Sequence, residues 1–142
     1  MKNEKIYAVI DTNVLVSALL SRIETNPLTI LLAIIQGKII PIFNRAILEE
    51  YKEVLNRPKF PFSSEEINKV LDTMYFYGEL IEALPREIED DFPDIKDKVF
   101  YQVTLNIEGS YIVTGNLKHF PKKPCVVNPA QMVEILRIKG LL

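Results

Sequence analysis

Ile6-Tyr7-Ala8-Val9-Ile10-Asp11-Thr12-Asn13 decides the reading of this chain. Five apolar residues in succession, without alternation, describe a strand buried on both faces, as in a parallel sheet. The run stops at three small polar residues, and Val14-Leu15-Val16-Ser17-Ala18-Leu19-Leu20 continues the apolar pattern as a helix. A carboxylate at the carboxyl end of a buried parallel strand faces the crevice where open α/β sheets bind ligands. Asp11 and Thr12 are also good helix caps, so what else reaches that edge decides their chemistry.

The rest of the chain alternates in the same way. A helix is expected over 27–36, with Asn26 as N-cap, Pro27 in its first turn and Gly37 closing it. A strand follows over 38–43, where Pro41 is tolerable only near an edge or a bulge. Asn44 can cap a helix from Arg45 to about Asn56, stopped by Pro58. Ser63-Ser64-Glu65-Glu66 is a capping box opening a long helix to about Glu82. The acidic stretch over 86–91 reads as a loop. A helix from Asp94 to about Ile107 ends at Gly109, and the strand Tyr111-Ile112-Val113-Thr114 stops at Gly115-Asn116. Val126-Val127 is a last short strand, and 129–139 a closing helix. Strands separated by helices make βαβ units, so the fold class is α/β with a mainly parallel central sheet covered on both sides. At 142 residues, with no repeat or linker, one domain spans 1–142.

Composition narrows the function classes. Apolar residues make up 48% and charged residues 25%, which describes a globular and not a disordered chain. The formal net charge of −2 advertises no nucleic-acid binding in bulk, although acids gathered around a cation are cancelled locally. A single cysteine, Cys125, excludes an internal disulfide and a zinc cluster of Cys type, and it is expected as an ordinary buried residue. No apolar run approaches the roughly 20 residues of a membrane span, and no secretory leader is visible. A cytoplasmic protein without a membrane partner is the expectation.

Three carboxylates can be brought to the edge that Asp11 occupies. On the helix over 45–56, Ile47, Leu48, Tyr51, Val54 and Leu55 define the buried face. At about 100° per residue, Glu49 and Glu53 point away from that face and Glu50 lies at its border. On the helix that begins at Asp94, Val99, Phe100, Val103 and Ile107 mark the buried side, with Asp97 at its border. Asp94 serves as N-cap, and Asp97 can serve both the helix dipole and a metal. Asp11, Glu50 and Asp97 held together repel one another unless a cation sits between them. Hard oxygen ligands without clustered His or Cys point to Mg²⁺ or Mn²⁺. The chemistry that suits such a site is metal-assisted phosphodiester hydrolysis. Thr114 and Asn116 end a strand at the same edge and could orient waters or carboxylates. Lys118, Lys122 and Lys123 form a small basic patch just beyond, suited to phosphate contacts, while the lone His119 is not read as a ligand.

Taken in order, Asp11-Thr12-Asn13, Leu48-Glu49-Glu50-Tyr51-Lys52-Glu53-Val54-Leu55, Pro93-Asp94-Ile95-Lys96-Asp97 and Ile112-Val113-Thr114-Gly115-Asn116-Leu117-Lys118-His119-Phe120-Pro121 resemble the PIN-domain family. Within it, they look like the group of toxins of toxin–antitoxin pairs related to VapC-type ribonucleases. The resemblance covers nearly the whole chain. It implies a Rossmann-like three-layer α/β/α sandwich and Mg²⁺- or Mn²⁺-dependent endoribonuclease activity on RNA. It places the family's three acids on Asp11, Glu50 and Asp97, and its hydroxyl and amide support on Thr12, Asn13 and Thr114. It also implies a cognate antitoxin. Many members carry a further Asp after the Thr-Gly strand end. Here Asn116 and then His119 stand in that segment, which leaves the cluster one charge short, with Asp94 as the acid expected to compensate.

Other readings fit less well. A receiver domain requires an acidic pair after the first strand, and a dinucleotide-binding domain requires a Gly-rich first turn; neither is present. The alternative from another class is a PIN-like module that binds RNA or protein without cutting. Two helices add an expectation about partners. Leu28, Ile30, Leu31, Leu32, Ile34 and Ile35 nearly encircle theirs, and Tyr75, Phe76 and Tyr77 cover a broad arc of the next long one. Such faces are shared with another chain, as in a homodimer or an antitoxin complex, or buried in a thick core.

Overall fold

A computed structural model describes residues 5–82 and 92–142. The expected loop over 86–91 lies outside the described residues. Among the described residues five strands form one sheet: β1 (Ile6–Ile10), β2 (Ile39–Phe43), β3 (Glu79–Leu80), β4 (Tyr111–Val113) and β5 (Val126–Val127). Their order is β3-β2-β1-β4-β5 and every neighbouring pair is parallel. Six helices flank it: α1 (Thr12–Leu20), α2 (Asn26–Ile35), α3 (Arg45–Leu55), α4 (Ser64–Tyr77), α5 (Ile95–Leu105) and α6 (Pro129–Ile138). A 3₁₀ turn covers Leu117–His119. This is the expected α/β sandwich, and the sheet is parallel throughout.

The central strand is the one whose apolar run is unbroken. Ala8, Val9 and Ile10 have no exposed surface, because β1 is paired on both flanks. Ala8 registers with Pro41 on one side and with Tyr111 on the other. From β1 the chain steps outward to β2 and β3, then returns to the other side for β4 and β5. Right-handed crossovers in opposite directions put their helices on opposite faces. The reversal leaves a crevice between the carboxyl ends of β1 and β4, the place where such sheets bind ligands.

Local chemistry sets most element ends as the sequence suggests. Asn44 caps α3, Ser63 and Glu66 form the capping box of α4, and Asp94 caps α5. Gly37 and Gly109 close their segments at φ values of 76° and 81°, which residues with a Cβ rarely adopt.

Four expectations change. The N-cap of α2 is Thr25 and not Asn26: its hydroxyl accepts from the Leu28 N–H, so Asn26 is already helical. The helix α4 stops at Tyr77 instead of running to Glu82, and Glu79–Leu80 forms β3 beside Ile42 and Phe43. The cause is Gly78, where the chain passes so close to β2 that a Cβ would collide with the carbonyl oxygens of Pro41 and Met74. Pro41 itself lies in an interior strand. β3 pairs only from Ile42 onward, so the flank of β2 toward β3 is unpaired at Pro41. Finally, Cys125 is half-buried and not buried, with its thiol pushed up by partial burial.

Candidate active site

Asp11 occupies the crevice between β1 and β4, and three hydrogen bonds hold its carboxylate. As N-cap of α1, its Oδ1 accepts from the Thr12 N–H at 2.8 Å. Its Oδ2 accepts from Thr114 Oγ1 at 2.7 Å and from Asn13 Nδ2 at 3.1 Å. Thr114 is fully buried, and its hydroxyl also accepts the Asn116 N–H at 2.9 Å. Asn13 turns its Oδ1 to the Gly115 N–H at 2.9 Å. A Cβ on Gly115 would stand 3.1 Å from that oxygen, which explains a glycine there. The capping and functional readings of Asp11 are therefore compatible, since the cap uses one lone pair of Oδ1 and leaves another. Burial pushes the Asp11 carboxyl above its ordinary range, and the bonds from Thr114, Thr12 and Asn13 oppose that shift.

Tyr51 brings the second acid to this edge. Its phenol is fully buried and donates to the Ile10 carbonyl at 2.5 Å, pinning α3 across the end of β1. Burial, and then the charge of Asp11, drive the phenol well above its usual range, so it stays a donor. One residue earlier, Glu50 is half-buried, while Glu49 and Glu53 are exposed as the helical wheel requires. Glu53 pairs with Arg57 at 3.0 Å. The Glu50 carboxyl is raised by desolvation first, then by the charges of Glu53 and Asp11, against Lys96 and Arg57.

The third acid, Asp97, sits in the first turn of α5, which packs on β1, β2 and β4. Its carboxyl is raised to about 6, by desolvation and then by the charges of Asp11 and Asp94. Asp94 is exposed and spends its side chain on the Lys96 N–H at 3.0 Å. The buried face of α5 is carried by Phe100, Tyr101, Val103 and Thr104, a shift from the expected Val99 and Ile107 that still leaves Asp97 at the border.

One neighbour of Asp97 is not foreseen in the sequence. His119 Nδ1 lies 3.2 Å from Asp97 Oδ2, close enough for an ion pair. The donor direction is poor, and Asp97 Oδ2 is buried with no aligned hydrogen-bond partner. Thr12 Oγ1 is a second buried oxygen without one. Nothing in the spacing of a solitary histidine announces this contact. The only signal is its place, in the segment where the resemblance leads one to expect a further acid.

The charge of Asp11 thus reaches both other acids, more strongly Asp97 than Glu50, and the structure gathers them loosely. Among the described residues no three Asp, Glu, His or Cys side chains stand close enough to enclose a metal ion. The donor chemistry nevertheless fits a hard divalent cation. Carboxylate oxygens are available, one is buried and unsatisfied, and the acids raise each other's affinity for positive charge. Mg²⁺ commonly takes only one or two carboxylates and keeps several waters, so a closed protein cage is not required. A cleft of about 200 Å³ opens beside Asn13, Gly115 and Asn116, and Lys118, Lys122 and Lys123 are exposed beyond it.

A family model described as PIN domain matches residues 7–118. The chain belongs to the PIN-domain family. PIN domains are generally nucleases that act on RNA and typically use divalent metals such as Mg²⁺ or Mn²⁺. The matched span of this PIN domain contains Asp11, Glu50, Asp97 and Thr114, and ends one residue before His119. No curated protein and no solved structure matches the chain. Among the described residues of the PIN domain, no helix is long and apolar enough to cross a membrane.

Proposed function

We propose that this PIN domain is a Mg²⁺- or Mn²⁺-dependent endoribonuclease, with Asp11, Glu50 and Asp97 as its catalytic acids and metal ligands. The observation that carries the reading is Oδ2 of Asp97, buried without an aligned donor although His119 Nδ1 stands 3.2 Å away, on an acid whose proton affinity is raised partly by Asp11. A buried carboxylate oxygen without a donor is costly, and acids perturbed by burial and by each other mark functional sites. When bound, the cation supplies Lewis-acid polarisation of a phosphate oxygen and an activated water.

The chain's own residues do the rest. Thr12, Asn13 and Thr114 fix the rotamer of Asp11, and Asn116 fixes Thr114 through its backbone N–H. Such supporting bonds orient ligands and are worth roughly 10–100-fold in metal affinity or activity. Tyr51 holds Glu50 at the edge through α3. Asp94 caps the helix that presents Asp97 and adds a negative charge beside it. Lys118, Lys122 and Lys123 provide phosphate contacts outside the acid cluster.

Incubating the protein with labelled single-stranded RNA tests this reading. Cleavage is expected with Mn²⁺ or Mg²⁺, and none with EDTA or in the Asp97→Asn variant. The second reading, a module that binds without cutting, is favoured by one observation: Asn116 and His119 stand where a fourth acid is common. Metal-independent RNA binding without cleavage would establish it.

We further assign this chain the role of a cytoplasmic toxin in a toxin–antitoxin pair, acting as a homodimer and silenced by its antitoxin. Leu32 and Ile35 on α2, and Tyr75 and Phe76 on α4, support a protein-binding face. They are 40%, 44%, 56% and 80% exposed, so the chain's own core leaves them uncovered. Growth arrest on expression, relieved by the antitoxin, tests the role. Mass measurement of the wild type and of a Tyr75→Ser/Phe76→Ser variant tests the dimer, which is expected to be lost in the variant.

A further inference from the structure

The 3₁₀ turn Leu117–His119 has two sides. His119 meets Asp97, whereas Leu117 and Lys118 line a groove of about 670 Å³ between this turn, β5 and the start of α6. Its floor is apolar, built from Phe120, Pro121, Pro124 and Val127. Phe120 is buried at its base and packs edge-on to Phe92 at 6.0 Å. Lys118, Lys122 and Lys123 stand on the rim, exposed and without an ion-pair partner among the described residues. Gln131 closes one end. Its Oε1 accepts from the Asn128 N–H at 2.8 Å, so its Nε2 remains as a donor.

The groove therefore combines an apolar floor, one amide donor and three unpaired cations, a short turn away from the acid cluster. A purely acidic peptide would meet the lysines and waste the floor. An apolar helix would fill the floor and strand the lysines. A nucleotide satisfies both, because its base has two apolar faces with polar edges and its phosphates are anionic. The volume falls in the ~300–1,000 Å³ range of small-molecule sites, which admits an unpaired nucleotide and not a duplex.

We propose that this groove binds one nucleotide of single-stranded RNA next to the phosphodiester at the acid cluster, its base against the accessible apolar lining of Leu117, Pro121 and Pro124 and its phosphates on Lys118, Lys122 and Lys123. The proposal rests on the nuclease reading for its place in the reaction, but its binding test does not. Fluorescence anisotropy of a short labelled single-stranded RNA, measured in EDTA, reads binding alone. Replacing the three lysines by alanine is expected to weaken binding about tenfold or more at low salt. It should also flatten the slope of log K against log salt by about 1.4, at roughly 0.7 for each of the two phosphates that flank one nucleotide of a single strand. An abasic ribose-phosphate oligomer of equal length is expected to bind about tenfold more weakly than the RNA, and RNA duplex and poly-glutamate are expected to compete poorly.

Unchanged affinity in the lysine variant overturns the groove, as does wild-type protein that fails to bind in EDTA. Equal binding of the abasic strand, or equal competition by poly-glutamate, overturns the base contact. If the wild type never cuts RNA with Mn²⁺ yet binds it in this lysine- and base-dependent way, the groove stands and the nuclease reading falls. The lysines are exposed, and an unchanged melting temperature in the variant confirms that its fold is intact.

Discussion

Thr114 Oγ1 donates to Asp11 Oδ2 at 2.7 Å, joining the ends of two adjacent strands that are 103 residues apart in sequence. The Asp11 N–H donates to the Val113 carbonyl at 2.9 Å in the same place, so backbone and side chain close the crevice together. Because Thr114 also accepts from the Asn116 N–H, its hydroxyl has a defined direction, with its proton toward Asp11.

Thr114→Val keeps the shape and removes both bonds. The cost should be about 1–3 kcal/mol, since a buried carboxylate loses a donor and a buried N–H loses its acceptor. The Asp11 carboxyl should rise further above its ordinary range, because the Thr114 bond is the largest influence holding it down. Denaturant unfolding and a metal-dependent activity assay check the pair of effects, with activity expected to fall 10–100-fold.

The acid cluster gives the metal-free protein a defined pH dependence. The folded Asp97 carboxyl titrates at about 6, against roughly 4 when unfolded, so the folded state holds the extra proton between those values. Its contribution to stability is fully present below about pH 4 and is lost as pH rises through about 6. Asp11 and Glu50 shift in the same direction. Asp97→Asn should flatten this part of the profile and raise stability at pH 7 by about 1 kcal/mol, a value discounted for partial exposure. Millimolar Mn²⁺ should stabilise the wild type at pH 7 and not the variant. Asp11→Asn should behave differently and lose about 1–2 kcal/mol, because the Asn amide must turn an N–H toward donors that the carboxylate accepts. Thermal melts across pH, with and without Mn²⁺, measure all of these.

Tyr51→Phe tests how Glu50 is placed. It deletes the bond to the Ile10 carbonyl without changing the packing against Phe100, whose ring centroid lies 6.3 Å away. Stability should fall by about 1–2 kcal/mol. Activity should fall by more than that loss explains, because the helix carrying Glu50 is no longer tied to β1. Unchanged kinetics in a fully folded variant would separate Tyr51 from the site.

Gly78→Ala should be among the most damaging changes far from the crevice. The added methyl meets two backbone carbonyl oxygens that cannot swing aside, and overpacking of this kind costs about 1–3 kcal/mol or more. A drop in the denaturant midpoint is the readout. A neutral variant would mean that the α4–β3 junction is free to move.

Much of this was legible in the chain because local rules governed it. The unbroken apolar run of β1 reported burial on both faces, and helical phase separated Glu50 from Glu49 and Glu53. The Asp11 and Asp94 caps followed from residue type and place. The failures are equally physical. Apolar spacing continues from Met74 through Tyr77 to Ile81, so nothing periodic marks the stop at Gly78, and a strand of two residues has no period to detect. Thr25 and Asn26 are both good caps, and only the hydroxyl's bond to Leu28 separates them. The contact of His119 with Asp97 is tertiary, made by a 3₁₀ turn and the first turn of α5, and a lone histidine carries no spacing that predicts it.

The most direct test is Mn²⁺ soaked into crystals of the protein, with the metal located by its anomalous scattering. The account predicts a peak in the crevice between the ends of β1 and β4, contacted by Asp11 and by the otherwise unsatisfied Oδ2 of Asp97, with Glu50 bound directly or through water. A crevice with no peak at saturating Mn²⁺, or Mn²⁺ bound only elsewhere, would contradict it.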